Sequence, residues 1–303
     1  MADRPWRVAV LGPGGVGGLL AALLARAGHH VICLAGEPTV HALRDGGLRV
    51  SSAQFGDFGV PVEADTVLRR PVDLCLVTVK QTALGPALDR TPSSVLGNAL
   101  VLPLLNGVEH PALLRERFGP DRVVPGAIRV ESTRTAPATI RHSSPFTEID
   151  LAGRARSLAP LVAVLEAIGI AVRTYDDEAT VLWTKLAFLA PLALLTTRHR
   201  LTAGEVRTTH RALLTDLIAE TSAVSRACGA ATDPQRILSL YDSFPATTKS
   251  SMLRDTEAGR PTELDAIGGA FLRAAAEHDV ATPLTARLVT ELAEQVPCPA
   301  VGP

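Results

Sequence analysis

A strand-like run, Arg7–Leu11 (RVAVL), passes directly into Gly12-Pro13-Gly14-Gly15-Val16-Gly17. Beyond it Val16, Leu19, Leu20, Leu23, Leu24 and Ala27 recur at helical spacing, Gly28 stops the helix, and Val31–Leu34 (VICL) reads as a second strand. Strand, glycine-rich turn, helix and strand within about 30 residues is the context that gives a G-x-G-x-x-G match its meaning. Gly12 is expected to permit the tight turn, Gly14 to let the backbone approach a pyrophosphate, and Gly17 to let the helix lie close to the strand, with Gly15 in the same turn. The free N–H groups of the helix start would then face the phosphates. The pattern predicts a dinucleotide site; a tight β–α turn that holds no ligand is the alternative.

The α/β rhythm continues. Asp73–Val79 (DLCLVTV) and Ala99–Leu105 (ALVLPLL) are continuous apolar runs, as expected of strands in a parallel sheet covered on both faces. Thr39–Arg44, Pro111–Phe118 and Leu158–Ile168 read as helices, and Val123–Gly126, Ile140–His142, Glu148–Leu151 and Ile170–Arg173 as short strands. After Tyr175-Asp176-Asp177 the period changes, and no convincing strand follows Glu178. Thr202-Ala203-Gly204-Glu205 is a capping box opening a helix toward Cys228, and Asp233-Pro234 and Thr282-Pro283 each set an N-cap before a helical proline. The expected architecture is an α/β Rossmann-type dinucleotide-binding domain over residues 1–176, then an all-α substrate and catalytic domain over 177–303. Two domains of about 150 residues each suit this length. The tail Pro297–Pro303 is expected to fray.

Charge and composition narrow the partners. Thirty basic against 31 acidic residues leave a net charge of −1, so no positive field holds nucleic acid or an anionic membrane, and neither is expected as a partner. The longest apolar run, Leu186–Leu195, has ten residues and contains Pro191, short of the ~18–20 that span a bilayer. The opening MADRPWRVAVLG carries Asp3 and enters a strand at once, unlike a signal peptide. Cys33, Cys75, Cys228 and Cys298 show no C-x-x-C spacing, and the first two lie in apolar runs. This fits buried thiols in a reducing cytoplasm, with no metal site.

Only three of the thirty basic residues are lysines: Lys80, Lys185 and Lys249. Arginine does not give up its proton near neutral pH whereas a buried lysine can, so each lysine is a candidate ammonium as well as a candidate surface residue. Lys80 and Asn106 follow successive strands, and ligands of open α/β sheets bind at the carboxyl ends of strands. Lys80 can reach a phosphate or the substrate mouth; Asn106 can bond a nicotinamide or a carbonyl, or be a plain turn residue. Glu37, 20 residues past Gly17, stands where an acid bonds the adenosine ribose 2′-hydroxyl and favours NAD, unless it is a solvated loop residue. Lys185, in Trp183-Thr184-Lys185-Leu186, interrupts an apolar helix. It either snorkels to the surface or is held in a cleft. Glu263 is the carboxylate that would hold and tune it, with a solvated helix-face glutamate as the alternative.

These residues resemble the ketopantoate reductase (2-dehydropantoate 2-reductase) family over essentially the whole chain. The resemblance rests on GPGGVG, VTVKQT around Lys80, LLNGV around Asn106, LWTKL around Lys185 and SSMLRDTEAGRPTELDAIGG from Ser250 to Gly269, in which Ser251 precedes Glu263 by twelve residues. It implies that Lys185 is the general acid that protonates the carbonyl oxygen as hydride arrives from the nicotinamide, and that Glu263 supports that step. It implies that Ser251 and Asn106 contact substrate or nicotinamide, and that Lys80 lies on the adenosine phosphate side of the cofactor.

The departures are specific. Family members usually carry Asn four and eight residues after the catalytic lysine, where this chain has Leu189 and Ala193, and a further family Asn is Ala203 here. The Arg that often follows the second strand and grips a 2′-phosphate is Gly36, with Glu37 next. The expected activity is therefore NAD(P)H-dependent reduction of the ketone of a 2-oxo acid, ketopantoate or a less polar analogue, in the cytoplasm, for pantothenate synthesis or another pathway. NADP(H) is the cofactor the resemblance implies, with NAD(H) left open by Gly36 and Glu37, and a small-molecule carbonyl compound is the partner. Helical second domains of this kind often pair, so a homodimer is an open expectation with no interface identified. The competing reading is a repurposed member that binds a dinucleotide or small ligand without turnover.

Overall fold

The structure is a computed structural model and describes residues 4–295. Met1–Asp3 of the opening run, the tail Pro297–Pro303 and Cys298 lie outside the described residues. The chain forms two compact units. One holds residues up to Leu105 together with His110–Val181; the other holds Asn106–Glu109 and the chain from Leu182 on.

The first unit is built on a parallel five-stranded sheet, ordered Glu63–Asp65, His30–Leu34, Arg7–Leu11, Leu74–Val77, Leu100–Pro103. Leu11 stands beside Leu34 on one side and Val77 on the other. Val8–Leu11 and Leu74–Val77 are fully buried, which is why these strands read as unbroken apolar runs. From Arg7–Leu11 the chain winds outward in both directions, first to His30–Leu34, then back across to Leu74–Val77. That reversal is the topological switch point, and the glycine turn sits at the carboxyl end of its first strand. Helices Gly15–Arg26, Glu37–Gly46, His110–Phe118 and Ala155–Ala167 cover the strands.

Two smaller sheets complete the unit: Phe58–Val60, Leu48–Ser52, Thr139–His142, Ser132–Ala136, and Ala171–Tyr175, Glu148–Ala152, Gly126–Arg129. Leu48–Ser52, Phe58–Val60, Glu63–Asp65 and Ser132–Ala136 were not expected from sequence. Ser132–Ala136 is a polar edge strand with no buried face, and Leu48–Ser52 offers only Leu48 and Val50 as apolar alternation. The strand expected over Val123–Gly126 lies instead over Gly126–Arg129, with Val123 making a single bridge to Val101. Cys33 and Cys75 are fully buried thiols, and burial pushes both up to about 12.

No strand occurs among the described residues from Glu178 on. Helix Glu178–His199 is long and apolar enough to cross a membrane by length and composition alone. Its central residues Leu186, Ala187, Ala190 and Leu192–Leu195 are instead the spine of the second unit's core, packed against Leu214, Leu217, Ile218, Ile267 and Phe271. The capping box forms: Thr202 Oγ1 accepts from Glu205 N, and Glu205 Oε2 accepts from Thr202 N at 2.7 Å. The helix it opens does not run on to Cys228. It stops at Thr209, His210 leaves helical geometry (φ −125°, ψ 33°), and Arg211–Ala227 begins anew. Asp233 caps Pro234–Ser243 as expected, accepting from Gln235 N at 2.9 Å.

Candidate active site

In the first unit the glycines meet distinct constraints. Gly12 has φ +86°, and a Cβ there would stand 2.4 Å from Val79 Cγ1. Its turn is tied down twice: Gly12 N donates to Leu34 O, and Thr78 Oγ1 lies 3.1 Å from Leu11 O and 2.9 Å from Gly12 O. A Cβ on Gly17 would fall 2.2 Å from Thr78 Oγ1 and 2.5 Å from Gly12 O, so the helix can approach the strand only as glycine. Gly15 is held by packing within the chain, a Cβ falling 2.2 Å from Ser132 O, while Ser132 Oγ donates to Gly15 O at 2.7 Å.

Gly14 differs from these. Its φ of −78° suits any residue, and the nearest atom to a Cβ there is Gly12 O at 4.0 Å. The chain itself does not require glycine at this position. A Cβ there would project into open space, wide enough for a phosphate to approach the backbone, and as N-cap Gly14 offers no side-chain acceptor to the first helical amides. The residues present therefore fit a dinucleotide.

At the end of the second strand Gly36 is the N-cap of helix Glu37–Gly46, and a Cβ there would meet only Pro38 Cδ at 4.0 Å. Glu37 is exposed in the first helical turn, where the helix dipole favours a carboxylate. Arg90, which sequence reasoning missed, fixes this strand end by donating from Nη1 to Ala35 O and Thr66 O, both at 2.9 Å. Nothing local to Arg90 signals that role, since Ala35 lies 55 residues away. Lys80 is half-buried and caps the short turn Gln81–Ala83; the strand before it ends at Val77, two residues earlier than expected.

The second unit brings three of the predicted residues together. The Lys185 ammonium donates to Asn106 Oδ1 at 3.1 Å, and Asn106 Nδ2 donates to Glu263 Oε2 at 2.9 Å. Glu263 is buried, while Lys185 and Asn106 are half-buried. Asn106 cannot relay a proton, but its amide dipole is aligned between a cation and an anion and fixes both. Asn106 is oriented by Gly107, whose φ is +93° and whose Cβ would stand 2.8 Å from Ala266 O. Ala266 lies in a π-turn, Asp265–Gly269, two residues past Glu263 at the start of its helix. Such turns recur at functional sites because they re-aim neighbouring side chains.

The remaining predicted residues divide. Ser250, not Ser251, caps helix Ser251–Glu257: its Oγ accepts from Leu253 N at 3.0 Å and lies 2.7 Å from Thr196 Oγ1. Ser251 is the first helical residue, half-exposed. Leu189, one turn after Lys185, is half-buried. Ala193 was expected to share that wall, but it is 1% exposed and packed inside the core. The reason is pitch: eight residues at 3.6 per turn rotate a side chain about 80° from Lys185, off its face. Ala203 is likewise buried, at the start of its helix, where its N–H donates to Thr248 O. The residue before Leu189 in its helix belongs to an aromatic group that the sequence did not reveal: the Phe188 ring lies 4.7 Å from Tyr241 and 5.2 Å from Phe244.

Residues 8–152 match the family model for ketopantoate reductase PanE/ApbA, and residues 177–295 match that for its C-terminal domain. The 2-dehydropantoate 2-reductase of Caulobacter vibrioides is 29% identical over 94% of this chain and 97% of its own, and that of Mycobacterium tuberculosis 30% identical over 94% and 96%. The crystal structure of a PanE/ApbA family ketopantoate reductase from Ralstonia eutropha superposes with a TM-score of 0.87 at 29% identity, covering 96% of this chain and 98% of that one. Two domains of this kind, matched along nearly their full length, define an NAD(P)-dependent oxidoreductase acting on CH–OH groups. The chain belongs to the ketopantoate reductase family.

Proposed function

We propose that the chain reduces the ketone of a small 2-oxo acid to the 2-hydroxy acid, with Lys185 as proton donor. The observation that carries this reading is the polar chain in the helical unit: an ammonium bonded to Asn106, and Asn106 bonded to the buried Glu263. The nicotinamide, when bound, supplies the hydride. Lys185 supplies the proton to the carbonyl oxygen as negative charge develops there, which is where a positioned acid lowers a barrier. Glu263 holds Asn106, and Asn106 aims the ammonium. Ser251, at the open start of its helix, is a substrate contact, and Lys80, with Gly12, Gly14, Gly15 and Gly17, holds the phosphates.

NADP(H) is the cofactor we assign by family, with NAD(H) usable because Gly36 supplies no cation and Glu37 supplies a carboxylate. Ketopantoate is the family substrate, but the first turn after Lys185 offers Leu189 and Phe188 in place of an amide. A hydroxyl buried there without a partner costs about 1–3 kcal/mol. We therefore favour 2-oxo acids with branched apolar or aromatic tails, reduced by a cytoplasmic enzyme, in pantothenate synthesis only if ketopantoate proves competent.

Consumption of NADPH and of NADH, followed with a panel of 2-oxo acids that includes ketopantoate, tests this. Turnover of the apolar members with higher kcat/KM than ketopantoate, and a swing toward ketopantoate in Leu189→Asn, is the expected result. Cofactor binding with no turnover of any member would overturn the reductase reading. Rapid turnover of ketopantoate alone would overturn the apolar preference.

A further inference from the structure

The segment Asn106–Glu109 follows a strand of the α/β unit yet belongs to the helical unit. Four consecutive residues tie it there. Asn106 bonds Glu263, and Gly107 brings its backbone against the Ala266 carbonyl. Val108 packs on the helical core. Glu109 receives a two-pronged grip from Arg273, with Nε 2.7 Å from Oε1 and Nη2 2.8 Å from Oε2. The same guanidinium reaches Asp265, with Nη1 2.8 Å from Oδ1 and Nη2 3.2 Å from Oδ2. Gly269 leaves room for it, since a Cβ there would fall 2.4 Å from Asp265 Oδ1 and 3.1 Å from Arg273 Nη1. Arg273 thus spans from the segment that carries Asn106 to the π-turn two residues past Glu263.

A single surface ion pair is worth little, but a bidentate arginine sets geometry as well as charge. Both carboxylates hold the Arg273 guanidinium firmly protonated, Glu109 more than Asp265. We propose that Arg273, with Glu109 and Asp265, is a positioning residue for the Lys185 ammonium. By locking Asn106–Glu109 onto the π-turn that begins two residues past Glu263, it keeps Asn106 Oδ1 within bonding distance of Nζ. Without the clamp only a few tenths of an ångström separate 3.1 Å from a lost bond. The inference rests on the reading of Lys185 as the proton donor, but its test does not.

The chain has three lysines, so lysine side-chain NMR with ¹³Cε label resolves each one, and Lys185→Met assigns the signal of interest. An acceptor bonded to an ammonium favours its charged form, so loosening Asn106 lowers the Lys185 titration midpoint, as Asn106→Ala must also do. Arg273→Ala and Glu109→Ala are the informative pair, both at half-exposed positions. Charge acting through space alone would raise the midpoint in Arg273→Ala and lower it in Glu109→Ala. Loss of the clamp lowers it in both, by about half a pH unit or more, with Lys80 unmoved. Opposite signs, or no movement in either variant, would overturn the proposal. In turnover assays both variants should lose kcat with little change in KM for NADPH, and Arg273→Lys should recover part of it. If Lys185→Ala proves fully active, the proton-donor reading falls while the NMR result still judges the clamp.

Discussion

The glycine turn and the Lys185 site impose different kinds of constraint. In the turn the informative feature is a missing side chain, and each position carries its own reason: Gly12 its backbone angle, Gly17 its distance from Thr78, Gly14 the open space before it. In the helical unit the informative feature is a meeting of ordinary residues, Asn106 with Lys185 79 residues away and with Glu263 157 residues away. A turn of the first kind is rigid and, at Gly12, Gly15 and Gly17, tolerates no addition. A site of the second kind is a balance of hydrogen bonds and can be detuned without unfolding.

The largest effect should separate the two directly. Lys185→Ala should lower kcat by ~10²–10⁴-fold, the range for a general acid, while leaving NADPH binding near wild type. Lys80→Ala should do the reverse, raising KM for the cofactor with kcat largely kept. Steady-state kinetics on the best substrate, with cofactor titration by fluorescence, reads both. Near wild-type turnover in Lys185→Ala would remove the distinction.

Cofactor choice comes next. Gly36, which the family resemblance sets where a 2′-phosphate-binding arginine is expected, has φ −72° and room for a side chain. Wild type should discriminate between NADPH and NADH by less than about a thousandfold, or ~4 kcal/mol. Gly36→Arg should add about 1.5–3 kcal/mol in favour of NADPH, the worth of a hydrogen bond to a charged group. The ratio of kcat/KM for the two cofactors measures this. An unchanged ratio would show that the end of the second strand does not face the 2′ position.

The same contrast explains what the sequence made legible. Four strands of the central sheet were readable because they are apolar and largely buried and need no alternation, whereas the edge strand Glu63–Asp65 was not. Ser132–Ala136 was not, because a polar edge strand is fixed by its partner rather than by its own composition, and Leu48–Ser52 was not, because an inner strand with only Leu48 and Val50 as apolar residues is too short a pattern to read. Lysine scarcity marked Lys185 as one of three candidates, and the family resemblance singled it out together with Glu263. That Asn106 stands between them was not readable, since it depends on a backbone excursion at Gly107 against a helix more than 150 residues later. Ala193 lies inside the core, off the face of Lys185, because eight residues of helix drift about 80°.

A smaller effect, on stability, tests the rigidity of the turn. Gly17→Ala places a methyl 2.2 Å from Thr78 Oγ1 and 2.5 Å from a backbone oxygen, so something must shift. Overpacking of this kind costs about 1–3 kcal/mol, which should appear as a fall in Tm of ~2–4 °C per kcal/mol. Gly14→Ala meets nothing nearer than 4.0 Å and should leave Tm within about 1 °C of wild type. It should instead weaken cofactor binding roughly tenfold, or about 1.4 kcal/mol. Equal Tm losses in the two variants would mean that Gly14 serves the fold and not the ligand.

The smallest effect concerns two histidines that each unit stacks in its own way. His142, in the α/β unit, is buried against Phe55 but bonded on both ring nitrogens, to Ser52 and Ser144. His199, in the helical unit, closes helix Glu178–His199 and stacks on His210 with ring centres 3.9 Å apart, its Nε2 buried without a hydrogen-bond partner. Burial holds His199 below its usual value of 6.5, and His210 and Arg198 push the same way against Glu291. The folded state therefore favours the neutral ring. Its contribution to stability is full above about pH 6.5, the unfolded value, and is lost as pH falls from there through the lower folded value. His199→Phe keeps the stack and cannot take up a proton. Urea unfolding at about pH 7.5 and pH 5 should show wild type losing more stability than the variant between the two, whatever the variant's stability at either. The carboxylates, Glu291 among them, are present in both proteins, so their own loss of stability toward pH 5 is common to the two curves. His142 is lowered by burial as well, but it is unchanged between the two proteins and cancels. An equal loss in both would show that His199 does not carry the pH sensitivity.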